Sequence, residues 1–291
     1  MNIIFYTSGT TGSGRLVRGI SIGTALARCG IISNYTILSS SPFGQLADDL
    51  NINHIEIPTE SEEQLSKENF QESILFKALT TLKPDILLID LLWFPLYNFI
   101  DEIPGKKIFL WQRMAENYWS MDLPSGKISY NPKQFDLVLA MEPFLGEGPD
   151  HQINPLILRN RNEILSRKKA LKELSLGKKN NCLLAYNGHP GDFERVEKEY
   201  SYLENEGYNI VTTTNYKGGI FPVIDYFNAF DLIVCGASYN SFWEVIFFGK
   251  KGIFVPTKTR FVDGERLIRQ FSNYSFKENG ADQLVQIMMN L

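Results

Sequence analysis

Short apolar runs and helical stripes alternate along this chain. Residues 2–6, NIIFY, form an apolar run that gives way to Ser, Gly and Thr, which predicts a first strand. Over 13–28, Leu16, Ile20, Gly23 and Ala27 recur at helical spacing, and Gly30 supplies a stop. Strands are predicted near 35–38 and 54–57, followed by a long polar helix over about 62–82. Pro84 leads into DILLID, 85–90, whose unbroken apolar run suits a strand buried on both faces. Residues 107–111 and 135–141 give two more strands. Strand–helix alternation of this kind predicts an α/β fold with a doubly wound parallel sheet.

The pattern breaks over 142–158, where Pro143, Gly146, Gly148, Pro149 and Pro155 follow in quick succession. This stretch reads as a crossover, dividing the chain into domains 1–157 and 158–291. A helix over 163–176 ends at Gly177, and a second set of strands is predicted at 181–186, 209–213, 232–235 and 253–255. The last helix, 281–291, is expected to pack back on the first domain. The architecture expected is two Rossmann-like domains facing across a cleft.

The densest chemistry lies in 231–265. An apolar run at 232–235 is stopped by Gly236, and Phe242, Val245, Ile246 and Gly249 then mark a buried helix face. A second apolar run, 253–255, is closed by Pro256, so the stretch reads as one βαβ unit. Its loop, Gly236, Ala237, Ser238, Tyr239, Asn240 and Ser241, is small and polar at the C-terminal end of a strand. Ligands of open α/β sheets bind there, and a following helix start favours anions. Glu244 has two readings: a capping-box acid counted from Ser241, or an acid for the ribose hydroxyls of a nucleotide.

Gly236, Ser241, Glu244, Gly249 and Val255-Pro256, with Glu265 shortly after, resemble the donor-site segment of GT-B glycosyltransferases. The likeness is to the group around the UDP-N-acetylglucosamine transferase of peptidoglycan synthesis. It implies that this loop and Glu244 hold the nucleotide of a UDP-linked sugar, with Glu265 near the sugar. Glu265-Arg266 stands where the family has an acid followed by Gln. The loop Asn187-Gly188-His189-Pro190-Gly191 falls where relatives set a Gly/Ser-rich loop against the diphosphate, so Gly188 and His189 join the expected donor site. Pro190 brings no N–H of its own there.

The first β–α loop, Ser8, Gly9, Thr10, Thr11, Gly12, Ser13 and Gly14, lacks the Lys and Ser/Thr of a P-loop and the third glycine of a dinucleotide fingerprint. Beyond a tight turn, it offers backbone N–H groups to an anionic or hydroxylated ligand. In GT-B relatives this loop is on the acceptor side and commonly ends Gly-His, the His serving as base; here the pair is Gly14-Arg15. Arginine stays protonated, so Arg15 is expected to bind an anionic group or offset charge on the leaving diphosphate. Asp90, at the end of a buried strand, is the first substitute base, with Glu116 and Asp122 behind it; the competing role of Asp90 is to cap the next helix.

Two aromatic stretches have double readings. LLWFPLY, 91–97, is either core or an exposed patch for a lipid-linked acceptor, with peripheral contact at the inner face of a membrane. Trp111, Tyr118 and Trp119 either line a sugar site or simply pack.

Composition narrows the function classes. Hydrophobic content of 44% and charged content of 21% over 291 residues describe a globular protein, and a net charge of −4 argues against nucleic acid as partner. Three scattered cysteines without CxxC spacing point to reduced thiols and a cytoplasmic address. Three histidines form no metal-ligand motif, so neither a metal nor a bound cofactor is expected; the nucleotide-sugar is a co-substrate. The expected function is transfer of a sugar from a nucleotide-sugar to a small-molecule, glycan or lipid-linked acceptor. The alternatives are a non-catalytic nucleotide-sugar-binding or partner subunit, and a nucleotide-sugar epimerase.

Overall fold

The structure is a computed structural model that describes every residue except 10, 11, 124, 125, 179, 188, 189, 216, 217, 258–260 and 262, and the side chain of 190. The chain forms two compact units: Met1–Thr10, Arg15–Leu156 and Gly280–Leu291 make the first, Thr11–Gly14 and Ile157–Asn279 the second.

The first unit carries β1 (Asn2–Thr7), α1 (Gly14–Arg28, from Arg15 on), β2 (Asn34–Ser39), α2 (Gln45–Asp48), β3 (Asn53–Glu56), α3 (Ile74–Leu82), β4 (Ile86–Asp90) and β5 (Lys106–Trp111). After these come a hairpin, β6 (Ser120–Leu123) and β7 (Gly126–Ser129), then β8 (Leu137–Ala140) and β9 (His151–Gln152). The second unit carries α4 (Arg167–Glu173), β10 (Asn181–Ala185), α5 (Pro190–Tyr200), α6 (Tyr202–Asn205), β11 (Asn209–Thr213), β12 (Leu232–Gly236), α7 (Tyr239–Phe247), β13 (Gly252–Val255) and α8 (Gly264–Phe271). The last helix, α9 (Gly280–Met289), returns to the first unit.

Seven parallel strands in the order β3-β2-β1-β4-β5-β8-β9 form the first sheet. Ile3, Ile4 and Phe5 on β1 and Leu87, Leu88 and Ile89 on β4 are fully buried, as strands covered on both faces must be. The order reverses between β1 and β4, and such a switch point opens a crevice at the strands' C-terminal ends. In the second unit four parallel strands run β11-β10-β12-β13, with the switch between β10 and β12. Cys182, Leu184, Leu232 and Val234 form the centre of its core.

Glycine sets how closely α1 approaches its sheet. A Cβ on Gly19 would stand 2.7 Å from the Phe5 ring and 3.0 Å from Ile37, both fully buried. An alanine there gains about 1 kcal/mol of helix propensity but overpacks at about 1–3 kcal/mol. Gly19→Ala should therefore lower stability by up to about 2 kcal/mol, read as a shift in a urea midpoint at unchanged slope; a rise in the midpoint would contradict this packing.

α9 is tied down by Arg28, whose guanidinium donates to Asp282, and by Gly280, which sits against the Asn154 carbonyl where no side chain fits. The long helix expected over 62–82 is instead only α3, preceded by turns. Ser73 caps α3 through the Phe76 N–H, and Glu60 accepts from the N–H groups of Ile74 and Leu75. Residues 62–69 carry charge without an apolar stripe, so no packing compensates the ordering of a longer helix. Of the 91–97 cluster, Leu91, Leu92, Trp93 and Leu96 are buried, so these side chains are core and not an exposed patch. Among the described residues no helix is long and apolar enough to cross a membrane.

Candidate functional site

In the second unit, the residues singled out at 236–244 gather at the C-terminal end of the sheet. Gly236 ends β12 against its neighbours: a Cβ there would meet the Tyr186 ring at 3.2 Å and Thr257 Cγ2 at 3.3 Å. Thr257 Oγ1 donates to the Ala237 carbonyl, fixing the loop to the segment after β13. Ser238 is the N-cap of α7, in extended conformation, but its side chain makes no capping bond. Ser238 is exposed, Asn240 and Ser241 are half-buried, and Tyr239 is buried. The first-turn N–H groups of a helix have no intrahelical acceptors, so this end of α7 presents donors and a partial positive charge.

Glu244 is the sixth residue of α7, three positions beyond where a capping-box acid falls, so that reading does not apply. Helical side chains lean toward the helix N-terminus, which brings its carboxyl back over the first turn. Glu244 is only 9% exposed. Burial, and secondarily the charge of Asp225, push its pKa up to about 8. Carboxyls perturbed in this way gather at sites that bind something. Asp225 itself is held by the Arg159 guanidinium, Nε to Oδ1 at 2.8 Å.

The remaining donor-side residues are spread more widely. Glu265 is exposed in the first turn of α8, which Asp263 caps by accepting from the Arg266 N–H. Gly188 and His189 lie outside the described residues. Pro190 starts α5, a position where its missing N–H removes no helical bond.

In the first unit the structure gives Asp90 a different task from the one expected. It is fully buried, and its carboxylate accepts from Arg18 Nε at 3.0 Å, Arg18 Nη2 at 2.8 Å and Thr7 Oγ1 at 2.8 Å. An acid with both oxygens engaged and no access to solvent has no free lone pair turned to a substrate, which makes it a poor proton acceptor. It caps no helix either, since Leu91 after it takes a left-handed φ of 66° and Trp93 and Phe94 enter a short 3-10 turn. The Tyr118 hydroxyl donates to the Leu91 carbonyl and so steadies this bend. Arg15, half-buried, hydrogen-bonds to the Tyr118 side chain and lies within electrostatic reach of Tyr6. Glu116 and Asp122 are exposed.

Of the acceptor-side loop, Ser8, Gly9 and Gly12 are half-buried, Ser13 is buried and Gly14 exposed, while Thr10 and Thr11 lie outside the described residues. Trp111 and Tyr118 are buried, and Trp111 stacks on Trp119 with ring centroids 6.0 Å apart, so these rings pack against each other. Two features escaped the sequence reading. Arg18 is a charge inside the apolar stripe of α1, and that misplacement is itself a signal of a buried partner. The other is a cavity in the first unit at the C-terminal ends of β1 and β2 and beyond β3, lined by residues from segments far apart in sequence. Among the described residues, no group of three His, Cys, Asp or Glu is placed to hold a metal ion.

No protein-family model matches the chain, and no curated protein matches it by sequence. Solved structures do. The glycosyltransferase SsfS6 of Streptomyces sp. SF2575, complexed with thymidine diphosphate, aligns over 100% of this chain and 96% of its own, at 15% identity and TM-score 0.60. The spinosyn forosaminyltransferase SpnP aligns over 100% and 90%, at 10% identity and TM-score 0.64. MurG of Acinetobacter baumannii aligns over 100% and 91%, at 14% identity and TM-score 0.54. The chain has the GT-B fold. At these identities the likeness fixes the architecture, two Rossmann-like domains, and not the chemistry.

Proposed function

We propose that this chain is a glycosyltransferase that takes a nucleoside-diphosphate sugar at the second unit. The observation that carries the reading is Glu244: an acid only 9% exposed, on a helix that starts without a side-chain cap beside the sheet's switch point. Ribose hydroxyls can donate to the Glu244 carboxyl, and the α7 N-terminus suits the diphosphate. Support from outside the chain is that SsfS6 and VinC, both of similar fold, have been solved with thymidine diphosphate. Uridine and thymidine diphosphates are therefore the first nucleotides to test.

In the reaction an acceptor hydroxyl oxygen bonds to the anomeric carbon while the bond from that carbon to the diphosphate oxygen breaks. The nucleoside diphosphate leaves with the electron pair, and the acceptor proton is released. Backbone N–H groups of α7 stabilise the charge that builds on the leaving oxygen. Glu265, exposed in the first turn of α8, is assigned to the sugar side, and Arg15 to an anionic group in the first unit.

A second reading, a nucleotide-sugar-binding protein without transfer, is favoured by one observation: Asp90, the substitute for the missing histidine base, is locked to Arg18. Incubation with UDP- and TDP-sugars and no acceptor separates the two. Slow release of free sugar is expected of a transferase, because water replaces the acceptor. Binding of nucleotide with no release would overturn transfer and leave the binder.

A further inference from the structure

Charge is divided unevenly between the two units. Lys and Arg outnumber Asp and Glu in the second, whereas acids predominate in the first, so the net charge of −4 hides a basic half. Parallel register gathers part of that charge at one end of the second sheet. Lys178 precedes β10, Asp231 precedes β12 and Lys250-Lys251 precede β13, and these three strands are neighbours. Their N-terminal ends form a rim at the end of the sheet away from the α7 start. Arg167, the first residue of α4, reaches the same rim. Its guanidinium donates to the Lys178 carbonyl at 2.8 Å, the Asn228 carbonyl at 3.0 Å and Asp231 at 2.9 Å. That anchorage brings the exposed Lys168, Lys169 and Lys172 of α4 beside the exposed Lys178 and Lys251.

The acids nearby are occupied or stand to one side. Asp231 is taken by Arg167 and by the Asn181 N–H at 3.0 Å. Glu173 is hydrogen-bonded to the Tyr226 side chain. Glu204 and Glu206 lie ahead of β11, the edge strand on the far side of β10 from β12 and β13. Lys250 is half-buried and donates to Asn228 Oδ1 at 3.1 Å, so its part is structural.

Residue type narrows the partner. A guanidinium fork selects a fixed acceptor geometry, and the arginines here are turned inward: Arg167 to Asp231, Arg159 to Asp225 and Arg161 to the Phe247 carbonyl. What faces outward is lysine, a mobile point charge that suits a fluid array of anions. Protein–protein interfaces are depleted in lysine, and the chain's net negative charge opposes nucleic acid.

We propose that this lysine rim docks the second unit on an anionic lipid surface, held by charge alone and therefore released by salt. The surface stands apart from the nucleotide reading, since it lies at the other end of the sheet.

The test is co-sedimentation of the intact chain with vesicles of phosphatidylcholine alone and of phosphatidylcholine with phosphatidylglycerol, at low and high salt. The wild type is compared with Lys168→Gln/Lys169→Gln/Lys172→Gln and with Lys178→Gln/Lys251→Gln. A control carries Lys67→Gln/Lys127→Gln/Lys133→Gln, exposed lysines of the first unit. The wild type should bind only the phosphatidylglycerol vesicles, and only at low salt. Each lysine near such a surface strengthens binding about fivefold, so the α4 triple should lose about a hundredfold and the rim double about twenty-five-fold. The control should bind as the wild type does; if one rim variant does not fold, the other decides. No binding to phosphatidylglycerol vesicles at low salt would overturn the proposal, as would equal binding to both vesicles or an equal loss in the control. Preference for poly-glutamate or duplex DNA over vesicles would overturn it too, and would make the partner an acidic protein or a nucleic acid.

Discussion

Replacing Asp90 by Ala is expected to lower stability by about 3–5 kcal/mol, because it strips the buried Arg18 of its carboxylate. The pair is 5% and 0% exposed at its side chains, far from the solvent screening that makes surface ion pairs weak. Arg18→Met combined with Asp90→Leu should recover much of that loss, since two apolar side chains leave no charge buried. Thr7 would then lose its acceptor, at about 1 kcal/mol. Denaturant melts of the two singles and the double close the cycle, and a coupling near zero would show that the pair does not hold β1, α1 and β4 together. Once a sugar-transfer or release assay exists, Asp90→Asn reads out role. A positioning acid leaves the pH profile of turnover in place and lowers its height, whereas loss of a base would remove the acidic limb of the profile.

The second large effect is set by pH. The folded Glu244 has its pKa raised from 4.5 to about 8, so the folded state binds more protons than the unfolded one between those values. Stability is therefore greatest below about pH 4.5 as far as this group is concerned, falls as pH rises, and levels off above pH 8. The full span corresponds to about 5 kcal/mol. Glu244→Gln keeps the shape and removes the charge. Its stability relative to the parent should be unchanged near pH 4.5 and should rise progressively to pH 8–9. Paired melts across that range check it, and a difference that stays flat with pH would mean that Glu244 is solvated in solution. Nucleotide binding should weaken in the variant above about pH 8, where Glu244 is ionised and a carboxylate accepts from ribose hydroxyls more strongly than glutamine does.

What could be read from the sequence was what local pattern controls. β1, α1 and β4 announce themselves by unbroken apolar runs and by Leu16, Ile20 and Gly23 at helical spacing. The β12–α7–β13 unit does so through Gly236, Phe242, Val245 and Pro256. Where meaning depends on pairing across the chain, the pattern is silent. Arg18 and Asp90 are 72 positions apart, and only the fold brings them together. The cavity is likewise assembled from Tyr6, Ser40, Ile57, Leu75, Phe94 and Ile128, each unremarkable where it stands. The 62–69 segment misled because a run of good helix formers has propensity without a face to bury. α8 has a local signal of its own, Asp263, which caps the helix through the Arg266 N–H.

The proposed transfer requires a nucleoside diphosphate bound over the start of α7 with Glu244 on its ribose. Thermal unfolding with UDP, TDP and GDP, on the wild type and on Glu244→Ala, tests it most directly. At a hundred times its dissociation constant a bound nucleotide stabilises the protein by about 2.7 kcal/mol. A shift of that order is expected with UDP or TDP, and its loss in a Glu244→Ala variant that still melts cooperatively. An equal shift in both proteins would place the nucleotide elsewhere, and no shift with any nucleotide would contradict the donor site altogether.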